Sequence, residues 1–209
     1  MWGDHVYRWV TASKRRVCVV VQFDQPLTVR QLCRRTALTL RACSDVLSQL
    51  VRRRLARCLN PRSRRCRVYG LTRTGVWCQG RMRRVLWLGP LLPTRARIDW
   101  SVYGAVCHNH RSAVVLALAE PLRPPMVKRR AQMRDPKLRI SANNVREVLS
   151  SLQRLRVTRR RWIEEYGYPH HELTRLGREA RRLLIGAEMP RPECAKFRCG
   201  EETPRLVLP

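Results

Sequence analysis

Residues 26–61 read PLTVRQLCRRTALTLRACSDVLSQLVRRRLARCLNP, and this stretch decides the fold. Thr28 and Gln31 stand three apart, the spacing of a capping box in which hydroxyl and amide satisfy each other's backbone N–H groups. They predict a short helix over 29–35, with Leu32 and Cys33 available to a core. Thr36-Ala37-Leu38 then predicts a tight turn. Thr39 can cap a longer helix reaching about residue 53. Its Cys43, Val46 or Leu47, and Leu50 recur at helical spacing and mark the buried face. Two helices joined by a turn of three or four residues form a helix-turn-helix.

The flanks extend this unit. Residues 55–59 read as a strand, Asn60-Pro61 as the start of a turn, and residues 68–71 as the returning strand. Thr72 can cap a last helix carrying Val76, Trp77 and Met82. Upstream, Ser13 can cap a helix through Val17, Val19, Val20 and Val21 that ends near Phe23. So many valines also suit a buried strand, which is the competing reading. Asp24-Gln25-Pro26 separates this segment from the next. The expected order is helix, helix, helix, hairpin, helix.

The unit occurs twice. LTRTG at 71–75 and LTRLG at 173–177 are 102 residues apart. At that offset Leu55 matches Val157, Leu50 matches Leu152, Leu47 matches Leu149, Cys43 matches Val145, and Thr39 matches Ser141. Upstream the offset is 95: Pro26-Leu27 matches Pro121-Leu122, Val19 matches Val114, Arg16 matches Arg111, and Asp4 matches Asp99. The second copy therefore carries 7 additional residues within 123–138. Apolar positions and caps repeat together, the mark of a duplicated structural unit.

In both copies the element order and the Leu-Thr-x-x-Gly start of the last helix resemble the winged helix-turn-helix superfamily, in particular MarR- and ArsR-type regulators. The matching residues of the first copy are 26–61, quoted above, and YGLTRTG at 69–75. Those of the second are EPLRPP (120–125), ISANNVREVLSSLQRLRV (140–157) and HELTRLG (171–177). The resemblance implies a mainly α fold with small β-hairpins (α+β), as tandem winged helix-turn-helix domains. The expected boundaries are a first domain over 1–84, an apolar linker over 85–98, a second domain over 99–185 and a Pro-rich, loosely ordered tail over 186–209. Two departures stand out. Where such regulators usually carry Gly after the third helix, this chain has Arg54 and Arg156. In the second copy, Pro124-Pro125 precede the middle helix and Asp135-Pro136 interrupt it, predicting a longer and less regular helix-turn-helix.

Charge points to the partner. The chain holds 44 Lys+Arg against 15 Asp+Glu, a net charge of +29. Residues 1–97 carry 22 basic and 3 acidic residues, and residues 98–209 carry 22 and 12. Such self-repulsion works against a compact state, and a polyanion relieves it. Of the basic residues 40 are Arg and 4 are Lys. Arginine suits bidentate contacts to phosphate and guanine, and a GC-rich genome would produce the same skew.

In helix-turn-helix docking the second helix lies in the major groove. With Cys43, Leu47 and Leu50 inward, the first recognition helix, 39–53, turns out Leu40, Arg41, Ser44, Asp45, Ser48 and Arg52. The second, 141–155, turns out Asn143, Asn144, Arg146, Glu147, Ser150 and Arg154. Arg to guanine, Asn to adenine and carboxylate to cytosine are workable pairings. Arg30 and Arg34, on the preceding helix, are further candidate contacts. The first wing, 60–67, brings Arg62, Arg64, Arg65 and Arg67 to phosphate or the minor groove. The second hairpin carries Arg159, Arg160 and Arg161 on its first strand, with Arg159 and Arg161 as candidate DNA contacts, and an acidic tip, Glu164-Glu165-Tyr166-Gly167, unsuited to insertion into DNA. Lys128, Arg129 and Arg130 cluster on the second copy's middle helix as candidate phosphate contacts. The same residues on a merely solvated surface would make no contact.

These features lead us to expect a sequence-preferring, double-stranded DNA-binding protein that regulates transcription, cytoplasmic and nucleoid-associated. It would act as a monomer with two pseudo-symmetric domains or as a homodimer. An architectural nucleoid protein, a replication initiator and an RNA-binding winged helix are the alternatives. The first residues lack the pattern of a signal peptide, and no apolar stretch reaches membrane-spanning length. We read the nine cysteines as reduced thiols. Cys107-His108-Asn109-His110 and Cys194-x4-Cys199 lack the paired spacing of a strong zinc site. Cys33 has no cysteine partner within its helix of the kind used by ArsR-type metal sensors. No phosphate-cradling glycine loop, carboxylate pair or nucleophile–base arrangement stands out. The expectation is a non-enzyme without metal or cofactor, and without a membrane partner.

Overall fold

In the computed structural model, which describes residues 2–88, 96–164 and 167–189, the valine run is helical. The run lies in a helix over Lys14–Val21, and Val17, Cys18, Val19, Val20 and Val21 are each at most 2% exposed. Burial on every side outweighs the weak helix propensity of valine. The helix ends at Val21, two residues earlier than expected, and Ser13 stands at its N-cap without a side-chain hydrogen bond. Gln79 ties down the end of this helix and the residues after it, donating from Nε2 to the Val20 and Phe23 carbonyls at 2.7 and 2.8 Å.

The described residues form ten helices and two small antiparallel sheets, a mixed α+β chain. It divides into two units, Met1–Arg95 with Ala187–Pro209, and Ala96–Gly186. The first runs α1 (Trp2–Thr11), α2 (Lys14–Val21), β1 (Leu27–Thr28), α3 (Val29–Thr36), α4 (Leu40–Arg52), β2 (Ala56–Cys58), β3 (Val68–Leu71) and α5 (Arg73–Val85). Helix α1 was not expected from the sequence. Its buried Val6, Tyr7 and Val10 fall on one helical face and give it a place in the core. The capping box of α3 is present: the Gln31 N–H donates to Thr28 Oγ1 at 3.4 Å, and the Thr28 N–H donates to Gln31 Oε1 at 2.8 Å. Ala37, with φ 56°, turns the chain, and Thr39 caps α4 by accepting from the Ala42 N–H at 3.2 Å.

The hairpin gains a third strand that the sequence reading missed. β1 pairs with β3 (Leu27 opposite Tyr69), and β3 pairs with β2 (Ala56 opposite Leu71), giving the order β1-β3-β2. On α5 the inner face is Cys78, Gln79, Met82 and Arg83, whereas Val76 and Trp77 are 56% and 44% exposed. Of the three apolar residues expected to mark this helix, only Met82 is buried.

The second unit contains α6 (Trp100–Val106), α7 (Asn109–Ala117), α8 (Pro124–Arg134), α9 (Ala142–Arg154), β4 (Thr158–Ile163) and β5 (Tyr168–Leu173), followed by α10 (Arg175–Glu188). Its geometry accounts for the 7 additional residues. α8 has 11 residues where α3 has 8, and the turn before α9 is correspondingly longer than the turn before α4. Thr28 is replaced by Arg123, which makes no capping bond, and proline stands in the first turn of α8. Proline suits this site because its missing N–H would be orphaned there anyway. Asp135 is the C-cap, so the Asp135-Pro136 break ends the helix.

The two copies share their fine construction. Leu122 bridges His171, the counterparts of Leu27 and Tyr69. Thr72 Oγ1 donates to the Arg54 carbonyl at 2.7 Å, and Thr174 Oγ1 donates to that of Arg156 at 2.7 Å. Arg54 and Arg156 both have φ 56°, in the left-handed region. The positions where glycine was expected therefore keep the conformation glycine favours, at a steric cost.

Of the expected linker, Val85 is instead the exposed last residue of α5, Leu86 and Leu88 are partly buried against the first unit's core, and residues 89–95 lie outside the described residues. Residues 186–188, expected to begin the tail, are the end of α10, and 190–209 lie outside the described residues. No described helix is long and apolar enough to cross a membrane.

Candidate nucleic-acid interface

Helix α4 is two-faced. Cys43, Val46, Leu47 and Leu50 are at most 4% exposed and anchor it to the core. The opposite face exposes Arg41, Asp45, Ser48 and Arg52, with Ser44 half-buried and Leu40 open to solvent. Arg30 and Arg34 on α3 are also exposed. At the C-terminal end of α4, Arg53 lies over the Trp9 ring at 5.2 Å, and Arg16 lies over the same ring at 4.0 Å. Two guanidiniums thus share one indole. Burial and the nearby Arg53 hold the Arg16 pKa below its ordinary value.

The β2–β3 hairpin is built around Asn60, which is 2% exposed. Its Oδ1 accepts from the Val68 N–H at 2.7 Å, and its Nδ2 donates to the Cys66 carbonyl at 3.3 Å. The Ser63 N–H closes the turn onto the Asn60 carbonyl at 3.0 Å. These bonds hold the loop without a hydrophobic core of its own. They leave Arg62, Arg64, Arg65 and Arg67 exposed, Arg67 donating to the Ser63 carbonyl at 3.2 Å. Arg57 is exposed on β2 beside them. The sequence reading missed it, although the alternation Ala56 in, Arg57 out carries the signal. It also treated Asn60 only as a turn residue.

Acid placement sharpens the charge of the chain's first half. Residues 1–97 contain only Asp4, Asp24 and Asp45 as acids. Asp4 pairs with Arg81, and Asp24 pairs at 2.6 Å with Arg35. Arg35 is 2% exposed and also donates to the Gln22 carbonyl at 2.9 Å. Asp45, on the outer face of α4, makes no ion pair among the described residues.

In the second unit, Val145, Leu149 and Leu152 hold α9 to the core, and Asn143, Arg146, Glu147, Ser150 and Arg154 are exposed. Asn144 is half-buried, and Arg146 donates to Asn143 Oδ1 at 3.1 Å. On α8, Arg129 is exposed, whereas Lys128 and Arg130 are half-buried and Arg130 pairs with Glu120. On β4, Arg159 and Arg161 both reach Glu172 of β5, at 2.6 and 3.4 Å. Burial pushes the Glu172 carboxyl up, but the two arginines outweigh it and hold its pKa below the usual carboxylate range. The sequence reading took Arg159 and Arg161 as anion contacts and did not foresee this partner. The pairing follows from strand register, which sets Arg159 opposite Glu172. Arg160, on the other side of the strand, is exposed.

His170 and His171 are each 7% exposed, so both are packed in the protein rather than open to solvent. Burial, with Arg160 and His170 nearby, pushes the His171 pKa down. Of the acidic tip, residues 165–166 lie outside the described residues. So do Cys194 and Cys199. Among the described residues, no three His, Cys, Asp or Glu side chains gather as a metal site. Comparison of the chain with protein-family models, curated proteins and solved structures returned no match.

Proposed function

We propose that the protein is a double-stranded DNA-binding protein, a sequence-preferring transcriptional regulator made of two tandem winged helix-turn-helix units. The observation that carries the reading is α4. It follows a three-residue turn, buries one face in the core, and offers Arg41, Asp45, Ser48 and Arg52 to solvent on a strongly basic unit. A helix about 10–12 Å across with its side chains fits a major groove about 12 Å wide. In this reading α4 and α9 read base edges, and the Arg62–Arg67 loop is a wing that holds phosphates or the minor groove. Three supports stand behind it: the Arg-rich composition, the loop built on Asn60, and the repetition of the same construction in both units. The chain then acts by binding, without catalysis, metal or cofactor.

The test is selection of bound duplexes from a random-sequence DNA pool at physiological salt, with single-stranded DNA and RNA competitors. An enriched motif is expected. Strong, salt-dependent binding without a motif would replace the regulator by an architectural protein. Loss of duplex to the RNA competitor would replace DNA by RNA as the partner.

A further inference from the structure

The outer faces of α4 and α9 are not independent samples of polar residues. At the 102-residue offset, Asp45 corresponds to Glu147, Ser48 to Ser150, and Arg52 to Arg154. Spacings of three and seven residues keep each set on one helical face, and all six side chains are exposed. Each unit therefore presents the same stripe of carboxylate, hydroxyl and guanidinium. The flanking positions differ: Arg41 against Asn143, Ser44 against Arg146, Val51 against Gln153.

The carboxylate is the informative member. Residues 1–97 hold three acids; two pair with Arg81 and Arg35, and the third is Asp45. An exposed carboxylate on a surface that docks against phosphates weakens that docking by repulsion. Its presence at the same place in both units suits a role in base discrimination. In the major groove a carboxylate accepts from the cytosine N4 amino group and repels the acceptor edge of guanine.

We infer that Asp45 and Glu147 each select a C·G pair, so the target contains two related half-sites. These share a cytosine and differ at a neighbouring base, guanine facing Arg41 and adenine facing Asn143. This inference rests on the DNA-binding reading above. The experiment is duplex selection followed by sequencing with the full-length wild type, Asp45→Asn and Glu147→Gln, together with affinity for the best and for an unrelated duplex. The wild type should yield two half-sites, each with a cytosine preferred about tenfold or more. Asp45→Asn should change that position from cytosine to adenine in one half-site, and Glu147→Gln in the other. An amide favours the adenine N6/N7 edge. If both variants bind every duplex more tightly and leave the motif unchanged, the acids only tune charge and the inference fails. A wild-type motif with one half-site would overturn the paired readout alone. A wild type that binds no duplex would overturn the DNA-binding reading itself.

Discussion

Replacing Gly75 by alanine tests how the last helix is seated. A Cβ at Gly75 would lie 2.0 Å from the Leu55 carbonyl oxygen and 3.1 Å from its carbon. That oxygen cannot swing aside cheaply, because it accepts from the Thr72 N–H at 2.9 Å and from Thr72 Oγ1 at 3.3 Å. Real Cβ atoms essentially never approach another heavy atom within 3.0 Å, so α5 must shift by about 1 Å or break these bonds. Overpacking against side chains costs about 1–3 kcal/mol. Here the obstacle is backbone, so we expect the upper end of that range, about 3 kcal/mol, a large share of a typical domain's stability. Gly80 is the internal control, since its added methyl would meet nothing within 4 Å. In mid-helix Gly80→Ala should stabilise by about 0.5–1 kcal/mol. Urea unfolding followed by circular dichroism measures both, and amide exchange across residues 54–85 locates the effect. Gly177, whose Cβ would lie 2.1 Å from the Val157 oxygen, should repeat the result in the second unit. If Gly75→Ala changed stability by less than about 0.5 kcal/mol, the rigid seat described here would be wrong.

Further outcomes follow from other details. Arg54→Gly and Arg156→Gly should each stabilise the protein by about 1 kcal/mol, because both arginines hold φ 56°; an unchanged or lower urea midpoint would show that the side chains contribute more than the strain removes. His171 has a folded-state pKa below its unfolded value, so neutral His171 favours the folded state at and above the unfolded pKa near 6.5. That contribution is lost as pH falls below about 6.5 toward the folded pKa, by at most about 1.4 kcal/mol per pH unit. His171→Gln should flatten the dependence of stability on pH just below about pH 6.5, and an unchanged slope would assign it to other groups. The double change Arg64→Ala with Arg65→Ala should weaken binding to all duplexes alike and reduce the salt slope by about 0.9 for each phosphate that is no longer neutralised. Arg41→Ala should instead relax preference at one base by about 1–3 kcal/mol. Identical behaviour of the two would refute the division between clamp and reader.

Local chemistry was the most legible part of the chain. Thr28 and Gln31 form a box because three residues separate two groups that complete each other, and Thr39, Thr72, Ser141 and Thr174 cap helices for the same short-range reason. The repeat at offsets 95 and 102 was enough to locate the second unit and its 7-residue insertion. Of the candidate interface, the exposed faces of α4 and α9 and the arginines of the β2–β3 loop follow from helical spacing and from the loop's composition.

What stayed hidden depends on groups far apart in sequence. Strand β1 exists because Leu27 meets Tyr69, and two residues carry no periodicity to read. The valine run is a helix because its neighbours bury every side of it, and Gln79, 56 residues beyond Phe23, ties down the chain just past its end. Arg159 and Arg161 meet Glu172 only once a hairpin register is chosen. Sequence alone therefore determined where helices start, which faces are apolar and how often the unit repeats, since propensity, capping and period act over a few residues. Tertiary structure decided which ambiguous segment becomes helix and which charges are neutralised. Burial and ion pairing are set by groups that only folding brings together.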